Sequence, residues 1–293
     1  MNEVKSVSEY LDYLGVIDNN SKSSYTVGCF TFFRGQSNAA WTLMPSLYRK
    51  GLFATENLLL TELKHICPLE FGSNRFETLV KMQHYGLPTR LLDTTTNPLV
   101  ALYFACESRN ELNSTGIVYM FPNMAVSWST DPLIELIMDY VFDHYPYHIH
   151  LDKMLEISRE KYKNVLHRLM PESINELLHY LTIPACAVMP AKTNDRINAQ
   201  DGAFLLFGMK YRNREVSTNP GTLGRVYYNF DPIDELKPEE IWKTVKTILI
   251  PADAKMGIIN QLDVLGINKR TLFPDLSHQI EYVVDSISKN PLG

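Results

Sequence analysis

At 293 residues, with 45% apolar and 21% charged side chains and a formal charge of −5, the chain has an ordinary globular composition, long enough for one large core or two small ones. That charge excludes a globally basic nucleic-acid binder, though not a local basic groove. No apolar run approaches the roughly 20 residues of a membrane-spanning helix, and Met1–Lys5 leads into polar sequence rather than a signal peptide, so a cytoplasmic protein is expected.

Val7, Tyr10, Leu11 and Leu14 share one helical face and predict a first helix over Ser6–Leu14. Asn19–Ser24 reads as a polar linker. Tyr25–Arg34, rich in β-branched and aromatic residues, reads as a buried strand. A helix over Ala54–Cys67 is stopped by Pro68, and a second over Arg75–Tyr85 ends at Gly86 and Pro88. Leu91-Leu92 form a short strand, and Pro98 suits the first turn of a helix over Leu99–Glu111. Gly116–Phe121 is a strand. Pro132–Leu181 reads as helical, with Leu133, Leu136, Ile137, Tyr140 and Val141 on one stripe, and is expected to be a helical insertion at 132–181. Ile183–Pro190, Gly202–Met209, Val226–Phe230 and Thr244–Pro251 are strand candidates, and Asp253–Leu262 is a helix. Short strands around helices, without regular βα alternation, predict an α+β fold: one domain over 1–293 with a mixed or antiparallel central sheet flanked by helices.

Cys29, Cys67, Cys106 and Cys186 are scattered, with no C-x-x-C pair, as expected of reduced, mostly buried thiols. His144, His148 and His150 hold a His-x-His spacing, but no carboxylate or Cys stands at a companion position, so no metal is predicted. A Gly-rich phosphate loop with Lys, a Gly-x-Ser-x-Gly elbow and a His-Glu-x-x-His helix are all absent from the sequence. Lys210, Arg212, Arg214 and Arg225 cluster, as solvated surface often does.

Three constellations could carry chemistry. The densest is Gln83-His84-Tyr85-Gly86-Leu87-Pro88-Thr89-Arg90-Leu91-Leu92-Asp93, continuing through Thr94, Thr95 and Thr96 to Asn97-Pro98. Polar groups at that density beside an apolar run are costly to leave unpaired, so they either satisfy one another or line a pocket. At the strand-to-helix junction, hydroxyls and free N–H groups favour phosphate or ribose oxygens; a plain helix cap would explain one or two of these residues. The second is Phe33-Arg34-Gly35-Gln36, where Arg34 could hold an anion and Gly35 let it approach the backbone, or where Arg34 could pair with a core carboxylate. The third is Arg196 to Phe204, in which Gln200-Asp201-Gly202 leads into an apolar strand.

In these residues the chain resembles the FRG domain family, named for its Phe-Arg-Gly signature. The resemblance rests on four blocks. They are Phe33-Arg34-Gly35-Gln36 with Trp41, Leu43, Pro45 and Arg49; Glu62; the Gln83–Asp93 run with Asn97–Ala105; and Arg196, Gln200, Gly202 and Phe204. Ile250-Pro251, Lys255, Leu262, Leu265-Gly266 and Leu272-Phe273-Pro274-Asp275 are also similar. The chain departs from the family at Thr94, where an aromatic, often Trp, is usual.

The resemblance implies a bacterial or phage-associated cytoplasmic protein linked to antiviral defence. A remoter likeness to ADP-ribosyltransferases implies a split sheet and NAD as the substrate donor. Arg34-Gly35 then matches their first-strand cation, Asp93-Thr94-Thr95-Thr96 their hydroxyl-bearing second strand, and Gln200-Asp201-Gly202 the place of their acidic residue. On that likeness the catalytic set is Arg34, Tyr85, Asp93 and Gln200, and the dinucleotide is held by Arg34, Gly35, His84, Tyr85, Arg90, Thr94 and Thr95. Arg34 with Arg90 would take the pyrophosphate, Tyr85 would wall the nicotinamide, and Asp93 and Thr95 would meet ribose hydroxyls. Gln200, Asp201 and Glu215 remain alternatives for the group that orients the transition state.

The function expected is an ADP-ribosyltransferase-like toxin or defence effector acting on RNA, DNA or protein. An antitoxin or chaperone protein is among its implied partners, and a membrane is not. Two alternatives stand beside it: a nucleic-acid binding or processing module using Arg34, His84, Arg90 and Tyr85, and a non-enzymatic sensor whose polar network is structural.

Overall fold

β2 (Cys29–Gln36) alternates its side chains between two cores: Phe32 is buried on one side and Phe33 on the other. The computed structural model describes residues 2–20, 29–143, 149–161, 173–233, 245–276, 278–280 and 283–284. The first four residues of the strand expected over Tyr25–Arg34 lie outside these residues, as do His144 and His148.

Seven strands form one sheet in the order β1 (Asn2–Glu3), β9 (Lys246–Ile250), β4 (Gly116–Trp128), β2, β3 (Leu91–Thr95), β6 (Gly202–Phe207) and β5 (Ala185–Met189). β5 also pairs back onto β4, so β4, β2, β3, β6 and β5 close a five-stranded ring. The length of β4 makes this possible. Its first five residues pair antiparallel with β9, and Val126–Trp128 pair parallel with Ala187–Met189 of β5. Nothing in the local sequence announces this closure. One seam of the ring is thin: β2 and β3 share a single registered pair, Phe33 with Thr95.

Helices α6 (Pro132–Asp143), α7 (Leu151–Lys161) and α8 (Ile174–Thr182) occupy the stretch expected to be an insertion. They form the crossover that parallel strands require, here between β4 and β5. α6 buries Ile134, Leu136, Ile137, Met138, Tyr140, Val141 and Phe142 in the same core as Phe32, Phe121 and Leu205. It packs against α3 (Glu56–Ile66) and α4 (Arg75–His84).

The second core lies under α5 (Pro98–Cys106), whose sequence PLVALYFAC is apolar on every side and accordingly buried. α5 sits directly on β2, since a Cβ on Gly35 would come 1.8 Å from the Ala101 carbonyl oxygen. α10 (Lys255–Val264) and α1 (Val7–Asn20) complete that layer. A two-stranded sheet, β7 (Lys210–Val216) with β8 (Val226–Asp231), stands apart; every residue of β7 is exposed, so it carries no period-two signal. Two short helices, α2 (Ser46–Arg49) and α9 (Asp195–Ala199), and a last one, α11 (Lys269–Leu272), finish the chain. Among the described residues, no helix is long and apolar enough to cross a membrane.

Candidate functional site

The thin seam between β2 and β3 is where the sequence-predicted residues gather. Continuing the register past Phe33 and Thr95 brings Arg34 opposite Thr94, but no pair is registered there. Arg34 fills the gap: its Nη1 donates to the Asp93 carbonyl at 2.6 Å and its Nε to Gln36 Oε1 at 3.2 Å. Of its five N–H groups, three have no hydrogen-bond partner among the described residues. Burial pulls this guanidinium below its ordinary pKa, with Asp93 opposing.

The dense run of polar residues partly satisfies itself. Gln83 donates from Nε2 to Asp93 Oδ1 at 2.8 Å and accepts from the Thr89 hydroxyl, which in turn accepts from the Leu91 amide at 3.1 Å. Thr95 donates to the Gln200 carbonyl at 2.7 Å and accepts from the Asn97 amide at 2.9 Å. Asn97 caps α5 through the Leu99 amide. Thr94 is different. It is 6% exposed and its hydroxyl has no hydrogen-bond partner. A buried hydroxyl without a partner is unusual enough to require a reason.

These residues line one cavity of about 380 Å³, within the size range of ligand pockets. Arg34, Gly35, His84, Asp93, Thr94, Thr95 and Gln200 all reach it, from strands, a helix end and a loop up to 166 positions apart in the chain. Trp41 and Phe104 add aromatic surface, Arg196 a second guanidinium, and Glu107 a second carboxylate. Arg196 lies over the Phe273 ring at 4.8 Å. Gln200 Nε2 donates to the Leu272 carbonyl at 3.0 Å, so the last residue of α11 is fastened to the cavity wall. His84 Nε2 stands 3.9 Å from Asp275 Oδ1, and the other oxygen of Asp275 meets His278 Nδ1 at 2.6 Å. Behind the site, buried Lys255 donates to the carbonyls of Ser37 at 2.6 Å and Glu111 at 2.7 Å, which fixes the end of β2.

Two expected members are elsewhere. Tyr85 is 74% exposed and touches His84 edge-on rather than walling the cavity; Trp41, 45% exposed, lines it instead. Arg90 is 1% exposed, its fork held by Glu56 through Nε at 2.8 Å and through Nη2, with Nη1 on the Phe207 carbonyl. A guanidinium locked in that way has no fork left for a pyrophosphate. Of the three candidates for the orienting group, only Gln200 lines the cavity. Asp201, at φ 45°, accepts from Asn97 Nδ2 at 3.1 Å, and Glu215 belongs to the exposed β7. Trp41, Phe104, Glu107 and Asn194 were outside the sequence-predicted site. Trp41 and Phe104 stood within the family-like pattern; Glu107 and Asn194 carry no local signal.

Among the described residues no group of three or more His, Cys, Asp or Glu side chains could hold a metal ion. Residues 30–114 match the model of the FRG domain, which spans Arg34, the whole Gln83–Asp93 run, Thr94, Thr95 and Glu107. No curated protein and no solved structure matches the chain.

Proposed function

We propose, from a chain whose residues 30–114 form an FRG domain, that the cavity takes NAD and transfers its ADP-ribose to an acceptor. The observation that carries this is the convergence of Arg34 and the Asp93–Thr95 ledge on one hollow, with Thr94, whose buried hydroxyl has no partner, among the lining residues. Arg34 and Arg196 supply the positive charge that a pyrophosphate needs, and an Arg fork meets phosphate oxygens in parallel pairs. Trp41 and Phe104 offer apolar faces to the nicotinamide or adenine ring. Gly35 lines the cavity beside Arg34, its missing side chain making room for α5, and Asp93 and Thr94 suit ribose hydroxyls.

In that role the protein is a toxin or antiviral defence effector, with RNA, DNA or protein as acceptor. The alternative of a nucleic-acid module loses weight because Arg90, one of its phosphate contacts, is paired inside the core. The test is transfer of labelled ADP-ribose from NAD onto purified RNA, DNA and lysate protein, beside an Arg34→Ala control. Label on one acceptor class, abolished in the control, is expected. Absence of binding heat with NAD, together with undiminished toxicity of Arg34→Ala, would overturn the reading.

A further inference from the structure

Two carboxylates line the cavity, Asp93 and Glu107, and they are not equivalent. Asp93 accepts from Gln83 at 2.8 Å, and its backbone carbonyl is held by Arg34. Glu107 follows the last turn of α5 as its C-cap and has no hydrogen-bond or ion-pair partner among the described residues. The three residues that the sequence offered for the acid role are a tethered amide, a carboxylate held by the Asn97 side chain and a residue on a remote exposed strand.

We propose that Glu107 is the catalytic base of this site, taking the proton from the acceptor hydroxyl as that oxygen attacks the donor ribose. The proposal rests on NAD being the donor. The bond from ribose C1′ to the nicotinamide nitrogen breaks, and its electron pair returns to the pyridinium ring, so that neutral nicotinamide leaves. The acceptor oxygen bonds to C1′, and its proton passes to the Glu107 carboxylate and then to water. One positive charge enters as the pyridinium and one leaves as the released proton.

The environment suits a base. Burial pushes the Glu107 carboxyl above its ordinary pKa, with Lys269 opposing, and the carbonyl end of α5 acts in the same direction as burial. A carboxylate moved upward is a better proton acceptor near neutrality than an ordinary one. Because the base acts deprotonated, activity should climb as pH rises through a value above the usual carboxylate range, then level off.

The experiment compares the wild type with Glu107→Gln and Glu107→Asp for NAD binding by calorimetry and for nicotinamide release, with and without cell lysate as the acceptor source. The expected result for Glu107→Gln is affinity within about threefold of wild type, an unchanged melting temperature, and release slowed about 100-fold or more. Its acidic limb in the pH profile should vanish, while Glu107→Asp recovers part of the rate. Full activity in Glu107→Gln, or a loss confined to binding, overturns the role of Glu107 and leaves the donor assignment standing. Failure of the wild type to bind NAD overturns both. A wild type that binds NAD and releases no nicotinamide with any acceptor overturns the role of Glu107 and the transfer reaction together, and leaves only the binding of NAD standing.

Discussion

Arg34 on β2 donates to the carbonyl of Asp93 on β3 at 2.6 Å, standing where the ladder between the two strands has stopped. One side chain thus closes a gap in the sheet and presents its remaining donors to the cavity. Arg34→Lys keeps the charge and loses the planar fork. It should weaken NAD binding about 10- to 100-fold, the worth of one or two charged hydrogen bonds. Calorimetry beside a thermal melt checks this: an affinity loss that only mirrors lost folding would make Arg34 a strand clamp and nothing more.

Thr94 gives a sharper separation of ligand binding from stability. Its hydroxyl is buried without a partner, so removing it in Thr94→Val relieves a desolvation cost of about 1–3 kcal/mol. The melting temperature should hold or rise, while NAD affinity falls about fivefold or more. A lower melting temperature would mean that the hydroxyl is satisfied in the folded protein, and an unchanged affinity that no ligand uses it.

The Arg90–Glu56 pair is predicted to matter for folding alone. Glu56→Ala strands a guanidinium that is 1% exposed, at a cost of about 3–5 kcal/mol. Replacing both partners with apolar residues, Glu56→Leu with Arg90→Met, should restore much of that stability. Denaturant unfolding measures the first effect, and binding per folded molecule should stay constant throughout. A double variant with native stability and no NAD binding would return Arg90 to the site.

Burial pushes the Cys106 and Cys186 thiols up to about 12. At pH 8 only about one in ten thousand of each is then thiolate, the species that alkylates. Both should resist iodoacetamide in the native protein and react promptly once it is unfolded, with the native rate rising about tenfold per pH unit. Mass spectrometry after a timed quench decides; rapid native labelling of Cys106 at pH 8 counts against its buried placement, while Cys186 is half-buried.

Much of the secondary structure was legible because its signals are local. Pro98 opens α5 where expected, and Gly86 follows the end of α4. β7 was not, because KYRNREV has no apolar face to alternate. In the site, the Asp93–Thr95 ledge and Arg34 were readable as polar residues misplaced beside apolar runs. Arg34 and Arg90 could not be told apart, since both are arginines beside a strand. Their difference is Glu56, 34 positions upstream of Arg90 and brought to it only by the fold. Trp41 and Glu107 reach the cavity through the packing of β2 against α5, which no window of sequence contains.

The stretch recognisable as an FRG domain ends at residue 114, two positions before β4 begins. It therefore owns just two strands of the ring, joined at one point, while β2 leans on β4 and β3 on β6, both contributed later in the chain. Cut out, residues 30–114 would be a signature without a scaffold. The unit that heredity must transmit intact is larger than the portion by which it is recognised.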